Sequence, residues 1–182
     1  MEATTTYLAL LRGVNVGGKA LLKMAELKEA LTAAGFENVT TYIQSGNVVL
    51  VGKDTDKKVV ADKIGGVIAK EFKLDVAVAL FTAAEWQAIV KAAPTWWGKD
   101  SDWKHNLLVL TEDVPMKEVV DAIGALKPDI ENMAQGNGVL YQSMSFKLFG
   151  RTTAGKLASN PMYKKMTVPN YNTATKLLAL LG

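Results

Sequence analysis

The chain has 182 residues, 49% of them hydrophobic, which suffices for one large domain or two small ones with packed cores. It contains no cysteine and a single histidine, His105, so disulfides, cysteine chemistry and a structural zinc site are excluded. No apolar run approaches the length of a membrane span, and the segment from Tyr7 to Leu11 is too short for a signal peptide. We therefore expect a cytoplasmic protein with no membrane partner, no metal and no cofactor.

Strand and helix patterns alternate through the first half of the chain. Strands are predicted at 7–11, 40–43, 48–51 and 76–81, with helices at 24–34 and 56–72. The residues Gln44-Ser-Gly-Asn47 separate the two middle strands, and a Gly-Asn pair between such strands is typical of a hairpin turn. The order β-α-β-β-α-β is that of a ferredoxin-like unit.

A second, similar pattern follows. Thr82 is expected to cap a helix that runs to about Ala93, and the irregular segment up to His105 contains Trp96, Trp97 and Trp103. Strands are then predicted at 106–110, 130–134, 139–142 and 166–168, with helices at 115–126 and 173–181. We predict an α+β fold made of duplicated ferredoxin-like (βαββαβ) units with antiparallel sheets. Residues 1–81 would form the first unit, residues 82–105 a connecting helix and tryptophan-containing loop, and residues 106–182 a second, degenerate unit with a C-terminal helix.

Charge is unevenly distributed along the chain. The net charge is +3, yet no acidic residue follows Glu131. Six basic residues do follow it, namely Lys147, Arg151, Lys156, Lys164, Lys165 and Lys176. This excess indicates either an anionic partner or a basic surface that maintains solubility. Only two of the 21 basic residues are arginine, which disfavours specific nucleic-acid recognition because arginine dominates bidentate contacts with phosphates and bases.

Three segments of the chain resemble one protein family. They are Leu11-Arg-Gly-Val-Asn-Val-Gly-Gly-Lys19, Thr41-Tyr-Ile-Gln-Ser-Gly-Asn-Val48, and Met162-Tyr-Lys-Lys-Met-Thr-Val168 followed by Asn172-Thr173. The family is an uncharacterised bacterial one, a domain of unknown function with the number sixteen ninety-seven. The resemblance extends from about Tyr7 to the C-terminus and implies a duplicated ferredoxin-like architecture with no established activity. The family tends to have Arg-Asn-Trp-Asn-Thr where this chain has Pro169-Asn-Tyr-Asn-Thr173, so a family site that used that arginine would be altered here.

The glycine-rich loop after the first strand is the first candidate site. Gly13 with Gly18-Lys19 matches the start of a phosphate-binding P-loop, but Ala20 stands where a Mg²⁺-binding hydroxyl belongs. The next helix also begins only near Met24, too late for its N-terminus to face a phosphate bound by this loop. The loop therefore predicts either an anion-binding nest of backbone N–H groups beside Arg12 and Lys19, or a plain tight turn.

The hairpin turn at 44–47 is expected to lie beside this loop. In a βαββαβ unit the third strand lies antiparallel between the first two, so the end of the first strand and the turn share one sheet edge, within roughly 10 Å. The candidate ligand-binding residues are therefore Arg12, Asn15, Gly17, Gly18, Lys19, Gln44, Ser45 and Asn47. The expected partner is an anionic ligand, either a phosphorylated small molecule or a nucleic-acid backbone.

Two other functions stay open at this stage. An enzyme acting on a phosphorylated or carboxylated substrate would orient it with Arg12 and Lys19 and use Ser45 or a lysine for the chemistry. No acid–base pair demands such an enzyme, and no catalytic residue is assigned. A scaffold or dimerisation protein would instead use the segment around Trp96 as its interface, although covering the core is the simpler role for these tryptophans. No oligomeric state follows from the sequence.

Overall fold

The fold is that of a computed structural model, which describes residues 4–16, 21–53 and 56–182. The chain divides into two units, one comprising Met1–Gln87 with Lys176–Gly182 and the other Ala88–Thr175. The domain boundaries expected after residues 81 and 105 stay a prediction about which segments fold on their own. Within the described ranges, no helix is long and apolar enough to cross a membrane.

The first unit is built on a four-stranded antiparallel sheet. Its elements are β1 (Thr5–Leu11), α1 (Met24–Ala33), β2 (Glu37–Tyr42), β3 (Asn47–Gly52), α2 (Lys57–Phe72), β4 (Val78–Thr82) and the start of α3 (Ala83–Lys91). The strand order is β2-β3-β1-β4, and each neighbouring pair is antiparallel. Strands β1 and β2 therefore run parallel with β3 between them, which is the arrangement expected from the sequence.

The helices of the first unit bury one apolar stripe each. Leu27 and Leu31 of α1 are fully buried, as are Val60, Ile64 and Ile68 of α2, and all five pack with β1 and β3 in one cluster. Their spacing of three or four residues puts the members of each set on one helical face, as the sequence predicted.

Helix α3 begins with a reciprocal capping arrangement. The Glu85 backbone N–H donates to Thr82 Oγ1 at 3.2 Å, and the Thr82 N–H donates to the Glu85 carboxylate at 2.8 Å. Each residue satisfies a backbone donor that the first turn of a helix would otherwise leave without a partner. The predicted cap at Thr82 is confirmed.

The second unit repeats this plan with shorter helices and a last strand of only two residues. Its strands are β5 (Trp103–Leu110), β6 (Glu131–Gln135), β7 (Val139–Ser145) and β8 (Met166–Thr167). Its helices are α4 (Met116–Ile123), α5 (Thr153–Leu157) and the start of α6 (Tyr171–Leu181), with 3-10 turns at Phe149–Arg151 and Pro161–Lys165. The sheet order is β6-β7-β5-β8, again antiparallel throughout. Helices combined with two antiparallel sheets confirm the predicted α+β class.

Several boundaries in the second unit differ from the sequence-based prediction by two or three residues, among them the starts of β5 and α6. Strand β5 begins at Trp103 rather than Asn106, because its pairing with β7 continues as far as Trp103 opposite Ser145. Trp103 and His105 are therefore strand residues and not part of a connecting loop. Helix α6 begins at Tyr171 rather than at Thr173, and Asn170 caps it by accepting the Thr173 N–H at 2.9 Å.

A buried carboxylate organises the segment that follows β7. Glu131 is 1% exposed and accepts hydrogen bonds from the Thr153 N–H at 2.9 Å, the Thr153 hydroxyl at 2.8 Å and the Lys127 N–H at 2.9 Å. A negative charge at this position satisfies backbone donors at the start of α5. Glu131 therefore joins β6 to α5.

Candidate functional site

The end of β1 and the β2–β3 turn lie against each other, as the sequence predicted. The Leu11 N–H donates to the Gly46 carbonyl at 2.8 Å. Asn15 Nδ2, in the loop after β1, donates to the Gln44 carbonyl at 2.7 Å. We call described residues 12–16 and 43–47 together the loop–turn platform. Two direct hydrogen bonds confirm that its two segments are neighbours.

Asn15 is the residue that joins the platform together. Besides its bond to Gln44, its Nδ2 donates to the Leu22 carbonyl at 2.7 Å, and its Oδ1 accepts the Leu22 N–H at 2.7 Å. Both hydrogens of the amide and one lone pair of its oxygen are thus engaged within the protein. Asn15, proposed from sequence as a ligand contact, is placed here as a structural cross-link that closes the loop and attaches it to the turn.

The turn itself is organised by Asn47. This residue is 6% exposed, and its Nδ2 donates to the Tyr42 carbonyl and to Ser45 Oγ, both at 3.1 Å. Gln44 and Ser45 are exposed at the tip of the turn. Gln44 and Ser45 therefore lie at the surface of the platform, while the Asn47 amide forms hydrogen bonds within the turn.

Left-handed backbone conformations are concentrated in the platform. Gly13, Asn15, Ile43 and Gly46 have φ values of 72°, 56°, 49° and 83°. A β-branched residue such as Ile43 rarely adopts a positive φ, which costs of the order of 1–3 kcal/mol and persists only where surrounding contacts impose it. Such backbone strain collects at ligand-binding sites, and alternating left- and right-handed residues orient N–H groups toward one point.

Arg12 is the cationic residue that the structure describes on the platform. Its backbone N–H donates to the Ala77 carbonyl at 2.9 Å, and the residue is half-buried. Gly17, Gly18 and Lys19, which the sequence nominates as binding residues, lie outside the described residues.

Apolar side chains flank the platform. Val16, Leu21 and Ile43 are 62%, 76% and 48% exposed. Val16 is next to Asn15 in the chain, Leu21 is next to Leu22, and Ile43 is next to Gln44. The Asn15 side chain donates to the carbonyls of Leu22 and Gln44. The platform therefore combines a cation and polar groups with exposed apolar surface.

His105 is held by hydrogen bonds within the second unit. Both ring nitrogens of His105 have partners, Nδ1 at 2.6 Å from Ser143 Oγ and Nε2 at 2.7 Å from the Asp100 carbonyl. Because a carbonyl oxygen can only accept, the Nε2 N–H of His105 donates to Asp100. Ser143 is 1% exposed, which makes this arrangement structural.

The tryptophans of the second unit have different environments. Trp97 is buried, donates from Nε1 to the Asn106 carbonyl at 2.9 Å, and meets the rings of Tyr141 and Tyr171 at centroid distances of 5.5 and 4.9 Å. It is thus a core residue and not a stacking platform for a ligand. Trp103 is half-buried and lines a cleft.

That cleft, in the second unit, is a feature the sequence did not predict. We call it the outer cleft; it has a volume of about 570 Å³, and the side chains that matter to its chemistry are Lys99, Trp103, Lys104, Phe146, Tyr171 and Asn172. Ligand pockets generally have volumes of about 300–1,000 Å³. Its residues, which include the acidic Asp100, come from β5, residues 98–101, the residue after β7 and the start of α6, so only the tertiary fold brings them together.

A smaller space adjoins the outer cleft. We call it the inner cavity; it has a volume of about 220 Å³ and shares Lys104 and Asn170 with the outer cleft. Its polar lining includes Asn106 and Gln142, which are direct partners across β5 and β7. The sequence carries one signal for these two residues. Asn106 and Gln142 are polar, yet each lies two positions from a core leucine, Leu108 or Leu140, and therefore on the strand face that points to the core.

A family model described as "Protein of unknown function (DUF1697)" matches residues 4–141 of the chain. The chain belongs to this family. Among solved structures, the conserved bacterial protein SP0830 from Streptococcus pneumoniae is similar, with 28% identity and a TM-score of 0.88. The match covers 99% of this chain and 100% of that one. A search of curated proteins finds no match.

The three motif segments of the chain fall in two places in this structure, and the first two lie within the residues that the family model matches. The described parts of the first two segments form the loop–turn platform in one unit. The end of the third leads into Asn170 and Tyr171, which line the outer cleft of the other unit. Tyr171 packs its ring against Trp97 and leaves no room for a Cβ at Gly98.

Proposed function

We propose that this protein binds an anionic ligand at the loop–turn platform, and that the ligand is a phosphorylated small molecule. The observation that carries the proposal is the convergence of four left-handed residues on two cross-linked segments beside Arg12. Strained backbone that is held in place by specific side-chain hydrogen bonds is characteristic of preorganised binding sites. Backbone N–H groups in such segments, with a cation nearby, favour a negatively charged group.

The contacts divide the platform residues by role. Asn15 and Asn47 hold the two segments in place, because their amide groups are engaged with the protein itself. The described side chains that would contact the ligand are those of Gln44 and Ser45, which are exposed at the turn, and the guanidinium of Arg12, which supplies the positive charge. By their place in the sequence, Gly17, Gly18 and Lys19 would complete the site with N–H groups and a second cation. Ser45 Oγ would act as a hydrogen-bond donor and not as a nucleophile.

A small molecule fits this chain better than a nucleic-acid backbone does. Arginine is scarce, and the exposed Val16, Leu21 and Ile43 flank the platform with apolar surface that suits the uncharged part of a small ligand. The net positive charge of the chain favours anionic over cationic ligands. A nucleic-acid backbone would instead show affinity that falls steeply and linearly with the logarithm of salt concentration.

Thermal-shift measurements with inorganic phosphate, sugar phosphates, nucleotides and carboxylates test the proposal. A ligand present at about 100 times its Kd stabilises the folded protein by roughly 2.7 kcal/mol, which is readily seen as a rise in Tm. We expect the Arg12→Ala, Lys19→Ala double variant to lose this rise. The matched control is Lys58→Ala, Lys70→Ala, which removes the same charge from two residues of α2 whose side chains are each 82% exposed.

The outcomes separate specific binding from a general charge effect. Retention of the Tm rise in the control and its loss in the platform variant support the proposal. Equal losses in both variants would mean that overall charge and not the platform attracts the anion. The absence of any rise with every anion in the wild type would refute anion binding at this site.

A further inference from the structure

We propose that the second unit holds a separate binding site for a mononucleotide, with the base in the inner cavity and the phosphate in the outer cleft. This site shares no residue with the loop–turn platform. The two volumes, about 220 and 570 Å³, adjoin through Lys104 and Asn170. A buried polar group in the inner cavity, the walls around it and the cations outside it support this site.

The first observation is an unsatisfied donor at the floor of the inner cavity. Gln142 is 2% exposed, and its Nε2 has no hydrogen-bond partner in the described part of the chain. A buried amide without a partner costs about 1–3 kcal/mol, so its presence in a core calls for a specific reason. Thr111 Oγ1 is likewise unpartnered among the described residues, but Thr111 lines neither cavity. A ligand in the inner cavity would supply the missing acceptor to Gln142.

A second carboxamide stands opposite the first. Asn106, which is 8% exposed, is the direct partner of Gln142 in the β5–β7 register, and both side chains line the inner cavity. Together they offer two amide donors and two amide acceptors. Nucleobases carry a donor beside an acceptor on their ring edges, and asparagine and glutamine are the side chains that pair with such edges.

The walls of the inner cavity suit a flat apolar ring. Leu108, Phe149, Leu157 and Val168 line it around the two carboxamides. A pocket of mostly apolar walls with a few placed polar groups is the usual design of a small-molecule site. A sugar, with hydroxyls on all sides, would leave polar groups against these side chains, whereas a base exposes its polar atoms only at its edge.

The cations lie where the phosphate of such a ligand would emerge. Lys104 lines both spaces, and its Nζ lies 5.2 Å from the centre of the Phe149 ring, at the wall of the inner cavity. Lys99 lines the outer cleft alone. Phe146, 57% exposed on the same cleft, offers a face that would cover the sugar. A base at Gln142 would thus direct its phosphate past Lys104 toward Lys99.

Isothermal titration calorimetry of the whole chain tests this arrangement. The ligands are the four ribonucleoside 5′-monophosphates, the corresponding nucleosides, and ribose 5-phosphate. We expect at least one nucleotide to bind more tightly than its nucleoside and than ribose 5-phosphate. Gln142→Leu should weaken both the nucleotide and its nucleoside about tenfold, the effect of losing one carboxamide–base contact, and leave ribose 5-phosphate unchanged.

Two lysine variants separate the phosphate contact from general charge. Lys104→Met, which keeps the aliphatic chain, should weaken the nucleotide and leave its nucleoside unchanged. Lys117→Met is the matched control, since Lys117 lies on α4 in the same unit with 85% of its side chain exposed. That control should bind every ligand as the wild type does. An equal loss of nucleotide affinity in both lysine variants would overturn the assignment of the phosphate to Lys104.

The stability of Gln142→Leu gives an independent check. Replacing an unpaired buried amide by an apolar side chain of similar size should leave the urea midpoint of the unliganded protein unchanged or raise it. A lower midpoint would show that Gln142 already has a partner within the protein, and the inference would be wrong.

The two proposed sites fail separately. The inference is overturned if no nucleotide binds more tightly than ribose 5-phosphate, or if Gln142→Leu has no effect on nucleotide affinity. Nucleotide binding that is lost in Arg12→Ala, Lys19→Ala and kept in Lys104→Met would assign the nucleotide to the loop–turn platform instead. If no anion binds at the platform but Gln142→Leu still weakens nucleotide binding, the second site is supported independently of the first.

Discussion

Gly46 offers the sharpest test of how the hairpin turn meets the first loop. Its φ is +83°, and a Cβ added there would lie 2.3 Å from Val14 Cγ2 and 2.8 Å from Leu11 Cβ. Its carbonyl also accepts the Leu11 N–H. Gly46→Ala therefore places a methyl group between two segments that are already in contact, in a backbone conformation that alanine disfavours.

The cost has two parts that can be separated. A left-handed conformation costs alanine about 1–2 kcal/mol. Overpacking against buried side chains adds about 1–3 kcal/mol, so Gly46→Ala should lose roughly 2–5 kcal/mol of stability. Gly13→Ala is the matched control, because Gly13 has a φ of +72° but nothing lies within 4 Å of its added Cβ. That variant should lose only the conformational part, about 1–2 kcal/mol.

Hydrogen exchange measures these losses in the first unit alone. A two-unit chain does not guarantee a single unfolding transition, so we would follow the amides of β1 and β3 by mass spectrometry. A loss of 2 kcal/mol speeds exchange about 30-fold, since each 1.4 kcal/mol is a factor of ten. The difference between the two variants isolates the steric part, because the effect of alanine on the unfolded chain is common to both.

Equal acceleration in the two variants would refute the packing of the turn on the first loop. The left-handed backbone would then explain the whole effect, and the close approach of Gly46 to Val14 and Leu11 would be incorrect. The loop–turn platform would lose its structural basis in that case.

Four further changes test other parts of the structure. Asn15→Ala removes three hydrogen bonds and should cost about 2–4 kcal/mol in urea unfolding; a loss below about 0.5 kcal/mol would contradict the cross-link. Glu131→Ala should cost at least about 3 kcal/mol by the same assay, because it leaves buried donors of α5 without their charged acceptor, and a neutral effect would contradict that role. Burial raises the pKa of Glu85, but hydrogen bonds from Lys57 and the backbone outweigh it and hold that pKa below its ordinary value of 4.5. The stabilisation that follows from the lowered pKa of Glu85 is present above the ordinary pKa and is lost as the pH falls through the lower folded pKa. Glu85→Gln should therefore reduce the loss of stability at acid pH, and an unchanged loss would refute this role of Glu85. Gly66→Ala, within α2 and with open space around its added Cβ, should raise stability by about 0.5–1 kcal/mol, whereas a decrease would show that the helix is not continuous there.

Local patterns in the sequence were enough to predict the edge that carries the platform. The Gly-Asn pair of the hairpin and the period of the strands specify β2, β3 and their turn, and the topology then places the end of β1 beside Gln44. What Asn15 does could not be predicted in the same way. Its side-chain bonds to Leu22 and Gln44 depend on a left-handed backbone at Asn15 itself, and no periodic pattern reports it.

The outer cleft and the inner cavity were missed because they depend on long-range register. Asn106 and Gln142 are 36 positions apart, and only the pairing of β5 with β7 places them opposite each other. The predicted start of α6 is two residues late because Asn170, and not a residue directly before Thr173, forms the cap. That shift matters, since it brings Tyr171 from a loop onto the first turn of a helix that borders the cleft.

Comparison of the two units argues that the carboxamide pair is not required by the fold. Both sheets have the same order and the same antiparallel pairing, with β1 and β3 in one corresponding to β5 and β7 in the other. On the helix-covered face of the first, the central pair is Ala9 opposite Val48, and neighbouring Tyr7 is fully buried with them. The equivalent face of the second has Asn106 opposite Gln142 beside a cavity. A sheet of this plan closes with apolar side chains at its centre, so a buried amide whose Nε2 has no partner among the described residues calls for a benefit that packing does not provide. Recognition of the hydrogen-bonding edge of a bound ligand supplies that benefit. It predicts that Gln142→Leu leaves the fold stable but weakens ligand binding.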